Sequence, residues 1–152
     1  MPIENKEENN MKLSYSIKKE LTEKDIKDIL TTALEGGIGY WAELDCTDPA
    51  WAAARKRWSK KTDERPCWCD VAFEVLNNGD AIRFIDAEAK DDDNPTEDEV
   101  FLLTMAGLLK GCQLWEEHSK KDLAKTIDEC DYDADDADLI IQWGIFGEII
   151  FG

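Results

Sequence analysis

The chain has 152 residues and a formal net charge of −17 at neutral pH. A domain of this length buries roughly 70% of its unfolded surface, and a hydrophobic content of 43% excludes a wholly disordered chain. The negative charge argues against nucleic acid and membrane surfaces as direct partners, and no apolar run reaches the roughly 20 residues of a membrane span.

The acidic residues are concentrated in two short windows. The first acidic window, residues 86–99, holds eight acids and one base, and the second, residues 128–138, holds seven acids and no base. Each window has a net charge of −7, so the rest of the chain is nearly balanced. Clustered charge of this kind favours a cationic partner, either metal ions or the basic surface of another protein.

The first third of the chain predicts one helix and one strand. Residues 1–20 are polar and are interpreted as a loose arm or as a short first strand around Leu13, Tyr15 and Ile17. Thr22 begins a helix with Asp25 in the capping position, and Gly36-Gly37 ends it because glycine permits a positive φ. The segment 38–44 is then predicted as a strand, in which Tyr40 and Trp41 point to opposite faces.

Residues 47–65 form a basic insert. Asp48-Pro49 is typical of a helix start, and Trp51, Ala54 and Trp58 would share one face of that helix. The insert could be a weak nucleic-acid patch, or it could pair with an acidic window of its own chain or of a second copy. Its basic residues are Arg55, Lys56, Arg57, Lys60, Lys61 and Arg65.

The middle of the chain predicts an antiparallel hairpin. Residues 67–76 alternate as a strand, 77–80 carry a strong turn signal, and 81–89 return. A third strand is expected at 100–104. Thr104 then caps a helix through His118, whose predicted apolar face is Leu108, Leu109, Cys112 and Trp115.

Two more helices complete the prediction. A short helix is expected at 122–129, and the apolar run 139–146 is interpreted as a buried helix whose Asp-rich first turn suits the positive end of its dipole. Together these elements predict an α+β fold, with a small antiparallel sheet and helices packed against it, in a single domain spanning residues 1–152.

Catalytic and metal patterns are weak, which favours a protein that is not an enzyme. His118 is the only histidine and is expected to interact with a helix end. The CxC pair Cys67 and Cys69 is interpreted as core cysteines, and the odd total of five cysteines favours free thiols in a reducing compartment. The segment from Asp131 superficially resembles a calcium loop but lacks its glycine and its final glutamate.

Asp86 and Glu88 leave two interpretations open. On a strand they would share the face of Ile82 and Phe84. They would then form a ligand or metal site, unless the strand has already left the core by residue 86 and both carboxylates lie in water.

Two stretches resemble small acidic proteins encoded by bacteriophages and prophages. The stretches are Ala33 to Trp41 (ALEGGIGYW) and the closing run from Asp135 to Gly152, which contains IIQWGIFGEIIFG. The resemblance covers residues 22–46 and 80–152 and fits the basic insert less well. It implies a setting rather than an activity, since such phage proteins are often stoichiometric inhibitors of host defence or host enzymes.

The leading hypothesis is therefore a DNA-mimic-like inhibitor in the cytoplasm of a host bacterium, binding a basic host protein and requiring no cofactor beyond an adventitious divalent cation. One alternative is a small-molecule or nucleotide-binding protein or metal-dependent hydrolase that uses Asp86 and Glu88, and another is a self-assembling structural partner such as a homodimer. The expected partner-binding residues are Asp91, Asp92, Asp93, Glu97, Asp98, Glu99, Asp128, Glu129, Asp131 and Asp133.

Overall fold

A computed structural model describes residues 21–89, 91 and 93–152. The predicted loose arm at 1–20 and the predicted partner-binding residue Asp92 lie outside the described residues. The described part folds into six α-helices and a three-stranded antiparallel sheet, which confirms the α+β class.

Helix α1, Glu23–Thr32, begins as predicted. Thr22 and Asp25 form a capping box, and each accepts a hydrogen bond of 3.1 Å from the backbone N–H of the other. The helix continues into a wide π-helical turn, Ala33–Gly37.

The reason predicted for the two glycines at this helix end is wrong. Gly36 has an extended φ of 172°, and Gly37 is not among the glycines with a left-handed φ. Gly37 matters instead for packing, because a Cβ there would lie 3.0 Å from the carbonyl oxygen of Ala134.

The segment predicted as a strand at 38–44 is mostly a turn. Trp41 and Ala42 both donate backbone hydrogen bonds of 3.0 Å to the carbonyl of Ile38, so strand β1 is only Ala42–Leu44. Trp41 is buried and Tyr40 is exposed, in agreement with their predicted opposite placement.

Helix α2, Pro49–Lys61, follows the N-cap residue Asp48 and has proline at its first position, as predicted.

The predicted hairpin at 67–89 is wrong, because its first half is helix α3, Trp68–Asn77. Asp70 caps the helix by accepting a 2.9 Å hydrogen bond from the N–H of Cys67. The whole segment Val71–Leu76 is buried, and an element buried on all sides loses the one-sided pattern that separates a helix from a strand. Gly79, with φ 85°, turns the chain into the sheet.

The sheet has strand order β1-β2-β3, with β2 at Ile82–Asp86 and β3 at Val100–Leu103. Phe84 pairs with Leu44 on one side and with Phe101 on the other. The third strand is confirmed, but β2 is shorter than the predicted 81–89, because the chain enters a 3₁₀ turn at Ala87–Ala89. A second 3₁₀ turn, Glu97–Glu99, precedes β3.

Helix α4, Met105–Ser119, confirms the predicted helix and its Thr104 cap, whose hydroxyl accepts a 3.0 Å hydrogen bond from the N–H of Gly107. Leu108, Cys112 and Trp115 are buried as expected. Leu109 is exposed, in contrast to its predicted place on the apolar face.

The last two helices are confirmed. Helix α5, Leu123–Asp128, is capped by Asp122, and helix α6, Ala134–Phe146, is capped by Asp133 and Asp136.

Helices α4 and α6 approach closely where their glycines meet. A Cβ on Gly107 would lie 2.6 Å from the carbonyl oxygen of Gly144, so the crossing requires residues without side chains.

An aromatic cluster closes the core at one end of the sheet. The Trp41 ring stacks on Phe151 with centroids 4.9 Å apart and lies 5.7 Å from both Phe101 and Phe146. The cluster joins the turn before β1, strand β3, helix α6 and the C-terminal segment. In the part of the chain that the structure describes, no helix is both long and apolar enough to cross a bilayer.

Candidate partner-binding surface

Most of the first acidic window lies on the connection between β2 and β3. Asp91, Asp93, Glu97 and Asp98 are exposed. Glu99 is partly used by the fold, because its carboxylate accepts hydrogen bonds of 2.9 Å from both the N–H and the hydroxyl of Thr96. The first acidic window thus offers exposed carboxylates on a connection that includes two 3₁₀ turns.

The second acidic window divides into a free part and a structural part. Asp128, Glu129 and Asp131 are exposed; Asp128 is the last residue of α5, and the other two lie between α5 and α6. Asp133 is exposed too, but it accepts a 3.0 Å hydrogen bond from the N–H of Asp136 and so caps α6. The expectation that several aspartates of this window cap a buried helix is thereby met.

Two further aspartates of the second window face the interior of the protein. Asp136 accepts a 3.1 Å hydrogen bond from the indole N–H of Trp115 and a 3.0 Å bond from the N–H of Asp133. Asp138 is only 9% exposed. These two carboxylates accept hydrogen bonds from within the protein and so are not available to a partner.

Asp138 is the centre of a buried polar network that the sequence did not reveal. It accepts hydrogen bonds from the Tyr40 hydroxyl, from the Trp41 indole N–H at 2.7 Å and from the Gln142 side-chain amide at 2.9 Å. The Gln142 carbonyl in turn accepts a 2.8 Å bond from the N–H of Phe151. Although the Tyr40 ring is exposed, desolvation of its hydroxyl and the neighbouring Asp138 carboxylate raise the pKa of Tyr40 to about 12.

The two buried carboxylates outside the windows are paired with bases. Glu74, which is buried, pairs with Lys61 and lies 3.7 Å from the Arg57 guanidinium. Asp45, also buried, pairs with Arg83. By contrast, none of the salt bridges between described residues includes a carboxylate of either acidic window.

The basic insert does not neutralise the acidic windows of its own chain in any described ion pair. Two of its bases, Arg57 and Lys61, are engaged with Glu74 of helix α3. The side chains of Arg55, Lys56 and Lys60 are exposed. The insert therefore serves partly as an internal brace between α2 and α3.

Asp86 and Glu88 lie in different environments. Ile82 and Phe84 are fully buried, but Asp86 is only half-buried at the end of β2 and Glu88 is exposed in the following turn. The Asp86 carboxylate accepts a 2.9 Å hydrogen bond from the N–H of Glu88. Across residues 21–89, 91 and 93–152, no cluster of three His, Cys, Asp or Glu side chains is placed to hold a metal ion.

The interpretation of Cys67 and Cys69 as core cysteines on one strand face is wrong. Cys67 is exposed at the start of helix α3, and Cys69, the second residue of the helix, is half-buried. The five described cysteines are free, as expected, and Cys112 is the buried one. His118 lies in the last turn of α4, as predicted, with its ring 5.3 Å from the Trp143 ring.

A cleft beside β1 is a second feature that the sequence did not reveal. It consists of two adjoining pockets of about 430 Å³ and 530 Å³ that share Leu34 and Trp68, and we call it the Trp68 cleft. Trp68 is 56% exposed, which is unusual for so large an apolar side chain. Ala87, between Asp86 and Glu88, also lines the cleft, so the cleft adjoins the first acidic window.

No protein-family model matches the chain, and no curated protein or solved structure is significantly similar to it.

Proposed function

We propose that this protein is a stoichiometric inhibitor that occupies the basic, nucleic-acid-binding surface of a bacterial host protein. Its exposed carboxylates would take the positions of phosphates against lysine and arginine side chains. The observation that carries the proposal is that the exposed carboxylates of both acidic windows have no salt-bridge partner among the described residues, whereas the buried carboxylates Asp45 and Glu74 are paired with bases.

The position of the free carboxylates supports this proposal. Asp91, Asp93, Glu97 and Asp98 lie on one connection between β2 and β3. A connection anchored at both ends by a sheet presents its charges at restricted positions, which lowers the entropy lost on binding. The resemblance to phage-encoded proteins supports a bacterial host as the setting.

The alternatives have less support. Self-assembly through the basic insert would bring together two chains that each carry a net charge of −17, and such chains repel one another. A hydrolase based on Asp86 and Glu88 would need both carboxylates to face one substrate, but one is half-buried on a strand and the other is exposed in a turn.

Affinity capture with charge variants tests the proposal. The tagged protein is incubated with a bacterial lysate, bound proteins are eluted by increasing salt, and each eluted protein is assayed for nucleic-acid binding with and without one equivalent of the inhibitor. We expect elution below about 1 M salt, because this ionic strength shortens the Debye length from about 10 Å at 0.1 M to about 3 Å. We also expect loss of nucleic-acid binding at a one-to-one ratio.

A matched pair of variants distinguishes the effect of where the charges lie from the effect of the total net charge. The test variant carries Asp91→Asn, Asp93→Asn, Glu97→Gln and Asp98→Asn in the first acidic window. The control removes the same number of exposed charges elsewhere, with Asp63→Asn, Glu64→Gln, Glu117→Gln and Glu148→Gln. We expect the test variant to lose capture and the control to retain it. Equal capture by both variants, or captured proteins that do not bind nucleic acid, would overturn the proposal.

A further inference from the structure

The Trp68 cleft has an apolar interior. Ile38, Ala42 and Phe84 line it and are themselves almost fully buried, so they form a fixed floor rather than a mobile surface. Leu34 and Trp68 stand where its two pockets join. The volumes of the pockets lie within the range of about 300–1,000 Å³ that is typical of sites for small organic groups.

The charged groups of the Trp68 cleft are negative. Glu43 lines one pocket and Glu35 lines the other; both are exposed, and neither takes part in a salt bridge between described residues. No lysine or arginine is among the described residues that line either pocket. The cleft therefore combines an exposed indole ring with carboxylates that lack a counter-charge.

The environment of Cys46, which also lines the cleft, agrees with this negative character. The pKa of this exposed cysteine is raised by partial desolvation of its thiol and by the nearby carboxylates Asp45 and Glu43, and Arg55 on helix α2 offsets this only in part. The site thus disfavours a further negative charge and favours a cation.

We propose that the Trp68 cleft binds the guanidinium side chain of an arginine on a basic protein partner. A guanidinium is planar, stays charged, is weakly hydrated and stacks on aromatic faces, whereas an ammonium is compact and strongly hydrated. Trp68 supplies the face, Glu35 and Glu43 supply the counter-charge, and Leu34 and Ile38 contact the aliphatic part of the side chain.

The proximity of the cleft to the first acidic window indicates which charges the partner's surface carries. Ala42 of the cleft is the register partner of Asp86, where the window begins. One arginine in the cleft would place its neighbouring residues beside the start of the first acidic window at Asp86 and Glu88, so the partner carries further basic residues around that arginine. This inference rests on the proposed function for the identity of the partner, but not for the recognition of guanidinium.

Two synthetic peptides test the inference directly. The first has a single arginine in a glycine–serine background, and the second replaces that arginine with citrulline, which has nearly the same shape and no charge. Titration calorimetry with the full chain should give a dissociation constant of about 1 mM for the arginine peptide and no binding for its citrulline twin. Equal binding of the two peptides, or no binding of either at several millimolar, would overturn the inference.

Cysteine alkylation locates the bound peptide. Cys46, Cys67 and Cys69 line the cleft, whereas Cys130 is exposed in the second acidic window and serves as an internal reference. We expect saturating arginine peptide to slow iodoacetamide labelling of the cleft cysteines several-fold and to leave Cys130 unchanged. Protection of Cys130 alone would place the peptide on the second window and contradict the inference.

Variants of the cleft complete the test. Trp68→Ala should abolish binding of the arginine peptide and Trp68→Phe should retain part of it, because phenylalanine keeps a weaker aromatic face. Leu102→Ala removes an equally exposed apolar side chain, on strand β3, and should bind normally. Undiminished binding by Trp68→Ala would refute the inference. The variant of the first acidic window with Asp91→Asn, Asp93→Asn, Glu97→Gln and Asp98→Asn, the Asp91–Asp98 variant, tests the proposed function separately. If it still loses lysate capture, the proposed function holds even when arginine binding by the cleft is refuted.

Discussion

The indole N–H of Trp41 donates a 2.7 Å hydrogen bond to the carboxylate of Asp138, across 97 positions of sequence. Both residues are buried, and the same carboxylate also accepts from Tyr40 and Gln142. The bond ties the turn before β1 to helix α6. This explains why a residue of the second acidic window is absent from the surface.

Replacement of Asp138 by alanine should destabilise the protein. The change leaves the Trp41 indole N–H without its acceptor in a buried site, and an unsatisfied buried donor costs about 1–3 kcal/mol. Urea denaturation should show a lower midpoint with an unchanged slope. Asp135→Ala is the control, since Asp135 is exposed one turn earlier on the same helix. Equal effects of the two changes would mean that the network contributes nothing.

Alkaline pH should weaken the fold, because folding raises the pKa of several groups that lose a proton in this range. In the folded state the pKa of Tyr40 is raised to about 12 by desolvation and by Asp138, and burial raises the pKa of the Cys112 thiol to about 12. Between about pH 9 and 12 the unfolded chain has lost protons that the folded chain retains. The free energy of unfolding therefore falls as pH rises, whereas below this interval both states hold these protons.

Denaturation curves between pH 8 and 11.5 measure this effect. Tyr40→Phe removes one of the groups whose pKa is raised in the folded state, so the decline of the free energy of unfolding above pH 10 should be shallower than in the wild type. The comparison concerns the slope with pH, which is unaffected by any constant loss of stability in the variant. Identical slopes for the two proteins would show that Tyr40 ionises normally in the fold.

The helix boundaries were predictable where a local cap fixed them. Thr22 with Asp25, Thr104 and the Asp-rich start of α6 are caps whose bonds join residues three apart, so the sequence contains both partners. Helix α3 was predicted as a strand because Val71 to Leu76 is buried on every side, and burial on every side is imposed by neighbouring elements rather than by the segment itself.

The candidate site was only partly predictable for a related reason. The charge of the two acidic windows is a property of composition, so the exposed carboxylates were found. Asp138 and Trp68 were missed because their roles depend on contacts with distant segments: Asp138 meets the turn at Tyr40, and Trp68 adjoins Leu34 across the cleft. Such contacts between residues far apart in the sequence do not follow from the spacing of residues along the chain.

Substitution of Gly111 by alanine should be strongly destabilising. Its added Cβ would overlap the carbonyl oxygen of Ile140 on helix α6, so the two helices would have to separate. Overpacking of this kind costs about 1–3 kcal/mol or more. Gly39→Ala is the control, because a Cβ there meets no atom within 4 Å. Thermal unfolding should separate the two variants, and a Gly111→Ala protein as stable as the control would contradict the close crossing of α4 and α6.

The free cysteines should differ sharply in reactivity. Cys46, Cys67 and Cys130 are exposed, whereas Cys112 is buried and has a raised pKa, so its thiolate is scarce at neutral pH. A thiol reagent applied to the native protein should label the exposed cysteines within minutes and leave Cys112 unmodified until the protein is unfolded. Mass spectrometry of the peptides assigns each site. Rapid native labelling of Cys112 would show that α4 is not packed as described.

Neutralising the first acidic window should stabilise the fold while it abolishes partner binding. Its exposed carboxylates repel one another and lack described salt-bridge partners, so the Asp91–Asp98 variant relieves repulsion that the folded state tolerates. Chemical denaturation at about 0.01 M ionic strength should show a higher free energy of unfolding than the wild type. The difference should shrink at 1 M, where the Debye length is about 3 Å.

The control variant at Asp63, Glu64, Glu117 and Glu148 should gain less stability, because two of its carboxylates lie beside the bases of the basic insert. A loss of stability in the Asp91–Asp98 variant would instead mean that these carboxylates support the fold, and their exposure would then no longer argue for a partner.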